Sequence, residues 1–338
     1  MAALASAGPA VMGTSHRKEP VRSLVRRIRE GLAALLSLPD GYEVLLGNGG
    51  ATAFWDAASF CLIERRSEHV VFGEFSAKFA AAVGSAPHLD DPIVVASEPG
   101  THPSPVPDDS VDAYALTQNE TSTGVAMPVA RPARDALVLV DATSAAGAVE
   151  VDPAGFDAYY FSPQKAFGSD GGLWLACCSP AAVARIEATE RWAPPFLDLR
   201  TALAESRRDQ TYNTPAIATL VLLADQVEWL LARGGLEWAA ARSREAAGLV
   251  YGWAEASDFA APFVTRPEMR SRTVATIDLD ASVPLESLSA VLRANGIVDV
   301  EGYRKLGRNQ IRIAMFPNVD LDDLRALTAA VDWIAERL

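Results

Sequence analysis

The chain has little positive charge to spare. Its 30 Lys and Arg face 43 Asp and Glu, which leaves a formal net charge of −13. Nucleic acid and anionic membrane surfaces both demand a basic face, so neither is expected as a partner. No apolar run reaches the roughly 18 residues that a membrane span needs. The Ala-rich N-terminus lacks a basic segment and a Leu-rich core, so no signal peptide is expected. The 3 cysteines show no CxxC spacing, and Cys177 and Cys178 are adjacent in a strand-like run. With Cys61 they read as buried apolar residues in a reducing compartment, and a cytoplasmic protein is expected. The 4 histidines (His16, His69, His88, His102) have no ligand spacing, so no metal site is expected. GxxxxGK[ST] and GxGxxG are both missing, which removes the P-loop and the dinucleotide fingerprint.

What is present is a globular composition, 49% hydrophobic and 22% charged over 338 residues. That length buries a large core and predicts two domains. From Pro20, the residues Val21, Leu24, Val25, Ile28, Leu32 and Leu35 recur at helical spacing. Arg22, Arg26 and Arg29 take the opposite face, which reads as solvated rather than as a membrane or nucleic-acid patch. Strands are predicted over 42–46, 70–72, 93–96, 113–117, 137–140, 158–161 and 173–178, with helices over 51–63 and 78–83. Alternation of this kind predicts an α/β fold with a mostly parallel sheet covered on both faces. Long helices follow over 214–231 and 236–255. The pattern then changes to strands at 274–279 and 311–316 with helices at 285–294 and 321–338, a smaller α+β domain. The division drawn is 13–235 for the large domain and 236–338 for the small one.

Chemistry-bearing residues collect where predicted strands end, and ligands bind beyond the carboxyl ends of such sheets. Asp157–Lys165 is a short apolar strand broken at Pro163 that delivers an amine. Strand 137–140 delivers a carboxylate, Asp141. A lysine and an aspartate on successive strands suit pyridoxal phosphate (PLP), since the amine forms a Schiff base and the carboxylate keeps the pyridine nitrogen protonated. Read singly, Lys165 is also a surface lysine and Asp141 a helix N-cap. Gly50, Ala51 and Thr52, at a strand–glycine–helix junction, offer free N–H groups to a phosphate. Phe75 is either core or a ring stacked on the cofactor. Thr121 either donates to a cofactor oxygen or belongs to a turn. Gln164 would hold the cofactor or orient Lys165. His16, Arg17, Arg304 and Arg312 are candidate anion ligands, and Arg312 sits in an otherwise apolar strand. Each also reads as a structural ion pair. Cations gathered in so acidic a protein suggest an acidic substrate.

In this order the residues resemble the phosphoserine aminotransferases, class V aminotransferases of PLP fold type I, most of all the actinobacterial form. The resemblance is carried by Gly13–Arg17, Leu46–Trp55, Gly73–Phe79, Asn119–Gly124 and Asp141–Ser144. It continues through Pro163–Lys165, Ser169–Gly172, Asn213–Pro215 and Tyr303–Arg308, from about residue 13 to the C-terminus. It implies that Lys165 carries PLP and shuttles the substrate proton, with Asp141, Phe75, Thr121, Gln164 and the 50–52 amides holding the cofactor. It implies that Asn213 and Thr214 reach the cofactor phosphate from a neighbouring subunit, so that a homodimer shares its active sites. Arg17 and Arg312, helped by His16 and Arg304, would bind substrate carboxylate or phosphate. The implied reaction joins a phosphorylated 2-oxo acid, 3-phosphohydroxypyruvate, to L-glutamate, with a related four-carbon substrate of pyridoxine synthesis. Two departures stand out. About a dozen residues precede the His16-Arg17 stretch where the family usually has more, and Gly8-Pro9 resembles the family's Gly-Pro turn but lies too close to His16 to replace it. Tyr303 and Phe75 stand where members often have His and Trp. The alternatives are another class V enzyme, such as an alanine–glyoxylate type aminotransferase or a cysteine desulfurase, and a non-catalytic PLP-binding protein.

Overall fold

The computed structural model describes residues 2–338. Helix α1 (Ala2–Val11) leads into α2 (Glu19–Leu35). The six apolar residues named above for α2 are all buried, and Pro20 occupies its first turn, where a missing N–H costs nothing. Strands and helices then alternate: β1 (Glu43–Asn48), α3 (Ala51–Cys61), β2 (Ser67–Val71), α4 (Glu74–Gly84), β3 (Ile93–Ala96) and β4 (Ala113–Thr117). A two-residue pair, β5 (Asn119–Glu120) and β6 (Val125–Ala126), precedes β7 (Leu137–Asp141), β8 (Ala158–Phe161) and β9 (Leu173–Cys178). Helices α5 (Pro180–Ala188), α6 (Leu199–Ser206), α7 (Ile217–Ala232) and α8 (Gly235–Ala256) follow. The chain closes with β10 (Ala260–Pro262), β11 (Val274–Leu279), α9 (Leu285–Ala294), β12 (Gln310–Ala314) and α10 (Leu321–Ala335).

The main sheet has the order β1-β9-β8-β7-β4-β2-β3. Register pairs show β9 antiparallel to both its neighbours, while β8, β7, β4, β2 and β3 are mutually parallel. Only β9 therefore runs against the rest, and Asn48, Thr117, Asp141 and Phe161 end their strands at one edge. Side chains alternate between two apolar clusters. Leu46, Val138, Val140, Tyr159 and Phe161 face α2 and α7, while Leu45, Leu139, Ala158 and Tyr160 face α3, α5 and α6. Two covered faces explain why these strands read as continuous apolar runs rather than alternating ones. A third cluster, from Ala246 to Ile334, unites the second half of α8 with β11, β12, α9 and α10.

The structure departs from the sequence reading in instructive places. Residues 2–11 form a helix, so Gly8 and Pro9 lie in helical backbone and not in a turn. Thr214 does not begin a helix. Pro215 disfavours helical backbone in the residue before it, and α7 starts at Ile217. Phe75 lies inside the first turn of α4, because that helix begins four residues earlier than its apolar periodicity suggests.

Candidate active site

Two glycines shape the edge where the strands end. Gly49 has φ +106, and a Cβ there would come within 2.8 Å of Ala53 Cβ. It turns the chain from β1 into α3, whose N-cap residue Gly50 makes no side-chain capping bond. The first N–H groups of α3 therefore remain available to an anion. At Gly73 a Cβ would lie 2.3 Å from Glu120 Cγ, so glycine lets the Glu120 side chain approach the start of α4.

Glu120 is fully buried. One carboxylate oxygen accepts from Phe75 N at 3.1 Å, Ser76 N at 3.0 Å and Ser76 Oγ at 3.0 Å. The other accepts from Ser122 Oγ at 2.7 Å and Ser122 N at 3.2 Å. A negative charge at a helix N-terminus is favourable, and here it locks the turn that carries Phe75. Glu120→Gln turns one end of this acceptor into a donor facing donors. We expect it to lower stability by about 1–3 kcal/mol, measured as a reduced midpoint in urea unfolding.

The cavity at this edge measures about 220 Å³. Gly50, Ala51, Thr52, Phe75, Thr121, Asp141, Gln164 and Lys165, all singled out in the sequence, line it together. Lys165 Nζ donates to Thr121 Oγ1 at 3.0 Å and lies 5.8 Å from the Phe75 ring centre. Burial pulls the Lys165 amine down to about 8. The Asp141 and Glu120 carboxylates act against that shift and the Arg312 cation adds to it. Asp141, at the end of β7, is buried, and its Oδ1 accepts from Thr143 N at 2.9 Å. Burial raises its pKa and the Thr143 N–H opposes the rise. No lysine or arginine is ion-paired to it among the described residues, so the carboxylate is suited to a cationic partner in the cavity.

Six further lining residues were not singled out as ligands by sequence: Trp55, Thr117, Asn119, Thr143, Ser144 and Ser162. Position held the clue for two of them, since Thr143 and Ser144 directly follow Asp141 past its strand end. Asn119 Oδ1 and Thr143 Oγ1 are buried with no protein partner. Buried polar groups are nearly always satisfied, so the cavity is built for a polar guest. Its features match PLP part by part: N–H groups of α3 for a phosphate, a carboxylate for a pyridinium, an aromatic face for a ring and an amine for an aldehyde.

A second cavity of about 820 Å³ is lined by Tyr303, Arg304, Lys305 and Arg312. It adjoins the first, because the Tyr303 and Phe75 rings stand 6.3 Å apart and Lys305 is ion-paired with Glu74. Arg312 is half-buried and has no carboxylate partner among the described residues. Its Nε donates to Glu301 O at 3.2 Å, and its guanidinium lies 5.6 Å from the Tyr303 ring centre.

His16, Arg17, Asn213 and Thr214 do not line the Lys165 cavity. His16 is buried, with Nδ1 3.1 Å from Thr214 Oγ1, and burial lowers its pKa. Arg17, Asn213 and Thr214 are exposed beside it. Thr214 O also accepts from Asn48 Nδ2 at 2.9 Å, which ties this loop to the end of β1.

The cysteines are free and buried. Burial pushes the Cys61 thiol up to about 11 and the Cys177 thiol to about 12. A nucleophilic cysteine needs the reverse, a depressed pKa and exposure. No cluster able to hold a metal occurs among the described residues, and no helix there is long and apolar enough to cross a membrane.

Fold and site together define a PLP-dependent enzyme of fold type I. The family model "Aminotransferase class-V" matches residues 105–306. A curated phosphoserine aminotransferase from Nocardioides sp. is 57% identical over 343 residues, covering 99% of this chain and 92% of its own length. The chain belongs to the class V aminotransferases, in the phosphoserine aminotransferase family. The crystal structure of a phosphoserine aminotransferase from Cytophaga hutchinsonii superposes with a TM-score of 0.90 at 25% identity, covering 98% of this chain and 93% of that one. One from Bacillus circulans subsp. alkalophilus gives 0.87 at 22% identity, covering 100% and 95%, and at that identity speaks for the fold alone.

Proposed function

We propose that this protein transfers the amino group of L-glutamate to 3-phosphohydroxypyruvate, giving O-phospho-L-serine and 2-oxoglutarate, reversibly. The observation that carries the reading is Lys165 and Asp141 in one cavity beside a second cavity lined with arginine. When bound, PLP supplies an electron-withdrawing pyridinium ring conjugated to an aldehyde. Asp141 holds the proton on the ring nitrogen. Lys165, whose amine burial pulls down to about 8, moves a proton at the substrate Cα. Arg312 offers a planar fork to a carboxylate, and Arg304 and Lys305 add charge for a phosphate. Tyr303 contributes a hydroxyl and no positive charge.

We further propose two domains, 13–235 and 236–338, and a homodimer. Asn213 and Thr214, with His16 and Arg17, would complete the partner's site, a role supported by the exposure of Arg17, Asn213 and Thr214 away from the Lys165 cavity and by the contact of His16 with Thr214. Three free, buried thiols fit a reducing cytoplasm.

A coupled assay that follows 2-oxoglutarate tests the reaction. Turnover of glutamate with the phosphorylated oxo acid, and poor turnover with glyoxylate, is the expected result. PLP binding without turnover would favour a non-catalytic role, and sulfide release from cysteine would favour a desulfurase. Arg312→Met should raise KM for glutamate by about 10–100-fold with a smaller fall in kcat, since charge-assisted hydrogen bonds to a carboxylate are lost. Arg312→Lys should recover only part of that loss in the same steady-state measurement, because it keeps the charge and loses the fork.

A further inference from the structure

Thr121 and Lys165 are joined by a hydrogen bond whose direction has chemical consequences. If Thr121 donates, its proton occupies the lone pair of a neutral Lys165. If Thr121 accepts, that lone pair stays free. The residues behind Thr121 decide between the two.

Ser144 Oγ has three polar neighbours: Asn119 O at 2.9 Å, Asn119 Nδ2 at 2.8 Å and Thr121 Oγ1 at 2.9 Å. Ser144 is 1% exposed, Asn119 4% and Thr121 9%, so water offers little alternative. A hydroxyl has one proton and two lone pairs. The Asn119 carbonyl can only accept, so it takes the Ser144 proton. The Asn119 amide nitrogen can only donate, so it fills one Ser144 lone pair. What remains toward Thr121 is a lone pair, and Thr121 must give it the single proton it has. Toward Lys165 Nζ, 3.0 Å away, Thr121 then presents lone pairs only. Turning the Asn119 amide over does not change the outcome. Oδ1 and the carbonyl would then compete for one Ser144 proton, and Thr121 would still donate to Ser144.

Ser144 is itself held from outside the main sheet. Its carbonyl accepts from Thr273 Oγ1 at 2.8 Å, in the segment entering β11. Thr273 Oγ1 in turn lies 3.2 Å from Ser271 Oγ, and both residues are fully buried.

We propose that Ser144 is a positioning residue that fixes Thr121 as an acceptor and so leaves the Lys165 lone pair free to react. This rests on the reading of Lys165 as the amine that meets the cofactor aldehyde. In Ser144→Ala the Thr121 hydroxyl can rotate, accepting from the charged amine and donating to the neutral one. The neutral amine gains a bond that blocks its lone pair. Its apparent pKa falls while its reactivity falls as well, a combination that simple loosening of the site does not produce.

The test is competitive labelling of the full-length apoenzyme with acetic anhydride across pH, reading the Lys165 peptide by mass spectrometry. Relative to wild type, Ser144→Ala should label with a midpoint lower by about half a unit to one unit and a plateau rate lower by about three- to tenfold. A profile superimposed on wild type overturns the proposal. In a Thr121→Val background, Ser144→Ala should add no further change, and an additive change overturns it too. If Ser144→Ala does not fold, a neutron structure of the deuterated wild-type protein decides. A deuteron on Thr121 Oγ1 directed at Ser144 supports the proposal, and one directed at Lys165 sinks it. Failure of the cofactor reading has a separate signature: wild type given PLP would show no absorbance near the visible edge, whatever the labelling profile.

Discussion

Lys165→Ala should lower transamination by roughly 10,000-fold, because it removes both the covalent anchor and the base that moves the substrate proton. Added PLP should lose the visible absorbance that marks its attachment to an amine. Two pH measurements sharpen the expectation. Labelling of Lys165 in the apoenzyme should rise about tenfold per pH unit up to about pH 8 and then level off, since only the neutral amine reacts and burial places its pKa there. Stability gives an independent readout. The folded pKa of about 8 lies below the ordinary lysine value of 10.5, so between these values the unfolded chain binds more protons than the folded one. The contribution of Lys165 to stability should therefore rise with pH across that window, against the opposite trend of the buried thiols, and is read as the difference in slope between wild type and Lys165→Ala. A variant that keeps its visible absorbance and more than a tenth of its turnover would remove Lys165 from the chemistry.

Asp141→Asn should produce effects of opposite sign on activity and on stability. Turnover should fall by about 100- to 10,000-fold, because the pyridine nitrogen loses the charged partner that keeps it protonated. The apoenzyme should be as stable as wild type or more so at neutral pH. Burial raises the Asp141 pKa, so its ionised form is costly in the apoprotein, and a neutral amide of the same shape relieves that cost. Asn also keeps the oxygen that accepts from Thr143 N. Thermal unfolding of the apoprotein with and without PLP separates the two effects, because the cofactor should stabilise wild type far more than the variant. Equal stabilisation by PLP in both proteins would mean that Asp141 does not meet the ring.

Much of this molecule is legible in its sequence where one physical signal dominates. Strands 93–96, 113–117, 158–161 and 173–178 are found at the predicted residues. Burial on both faces makes the last three short apolar runs, the edge strand 93–96 is apolar though Val94 and Ala96 are exposed, and Gly, Pro or Asp stands beside each. The α2 stripe is equally plain, since one face packs and the other carries arginine. Elements without such a signal are not legible. Helix α1 is Ala-rich with no periodicity, β5 and β6 are two residues long, and α6 owes its place to packing between α3 and β1.

The site divides in the same way. Residue type and position at strand ends suffice to single out Lys165, Asp141, Phe75, Thr121 and the turn at Gly50, because each carries chemistry that its neighbours lack. Trp55 and Glu120 carry no such mark, and Thr143 and Ser144 have only their place after Asp141. Serine and threonine are common, and what distinguishes these is the company that distant segments bring. Glu120 reads as one more acidic residue until Gly73, Phe75 and Ser76 close around it.

By itself the sequence determined the class of fold and the family, and it pointed to the amine and the carboxylate, because those depend on local pattern and on residue identity. Only the tertiary structure decided which way the Thr121 hydroxyl points, which cations line a cavity beside Lys165 and which stand elsewhere with Thr214. Hydrogen-bond direction and desolvation depend on every neighbour in three dimensions, and those neighbours come from separate segments, as Thr121, Ser144 and Lys165 do.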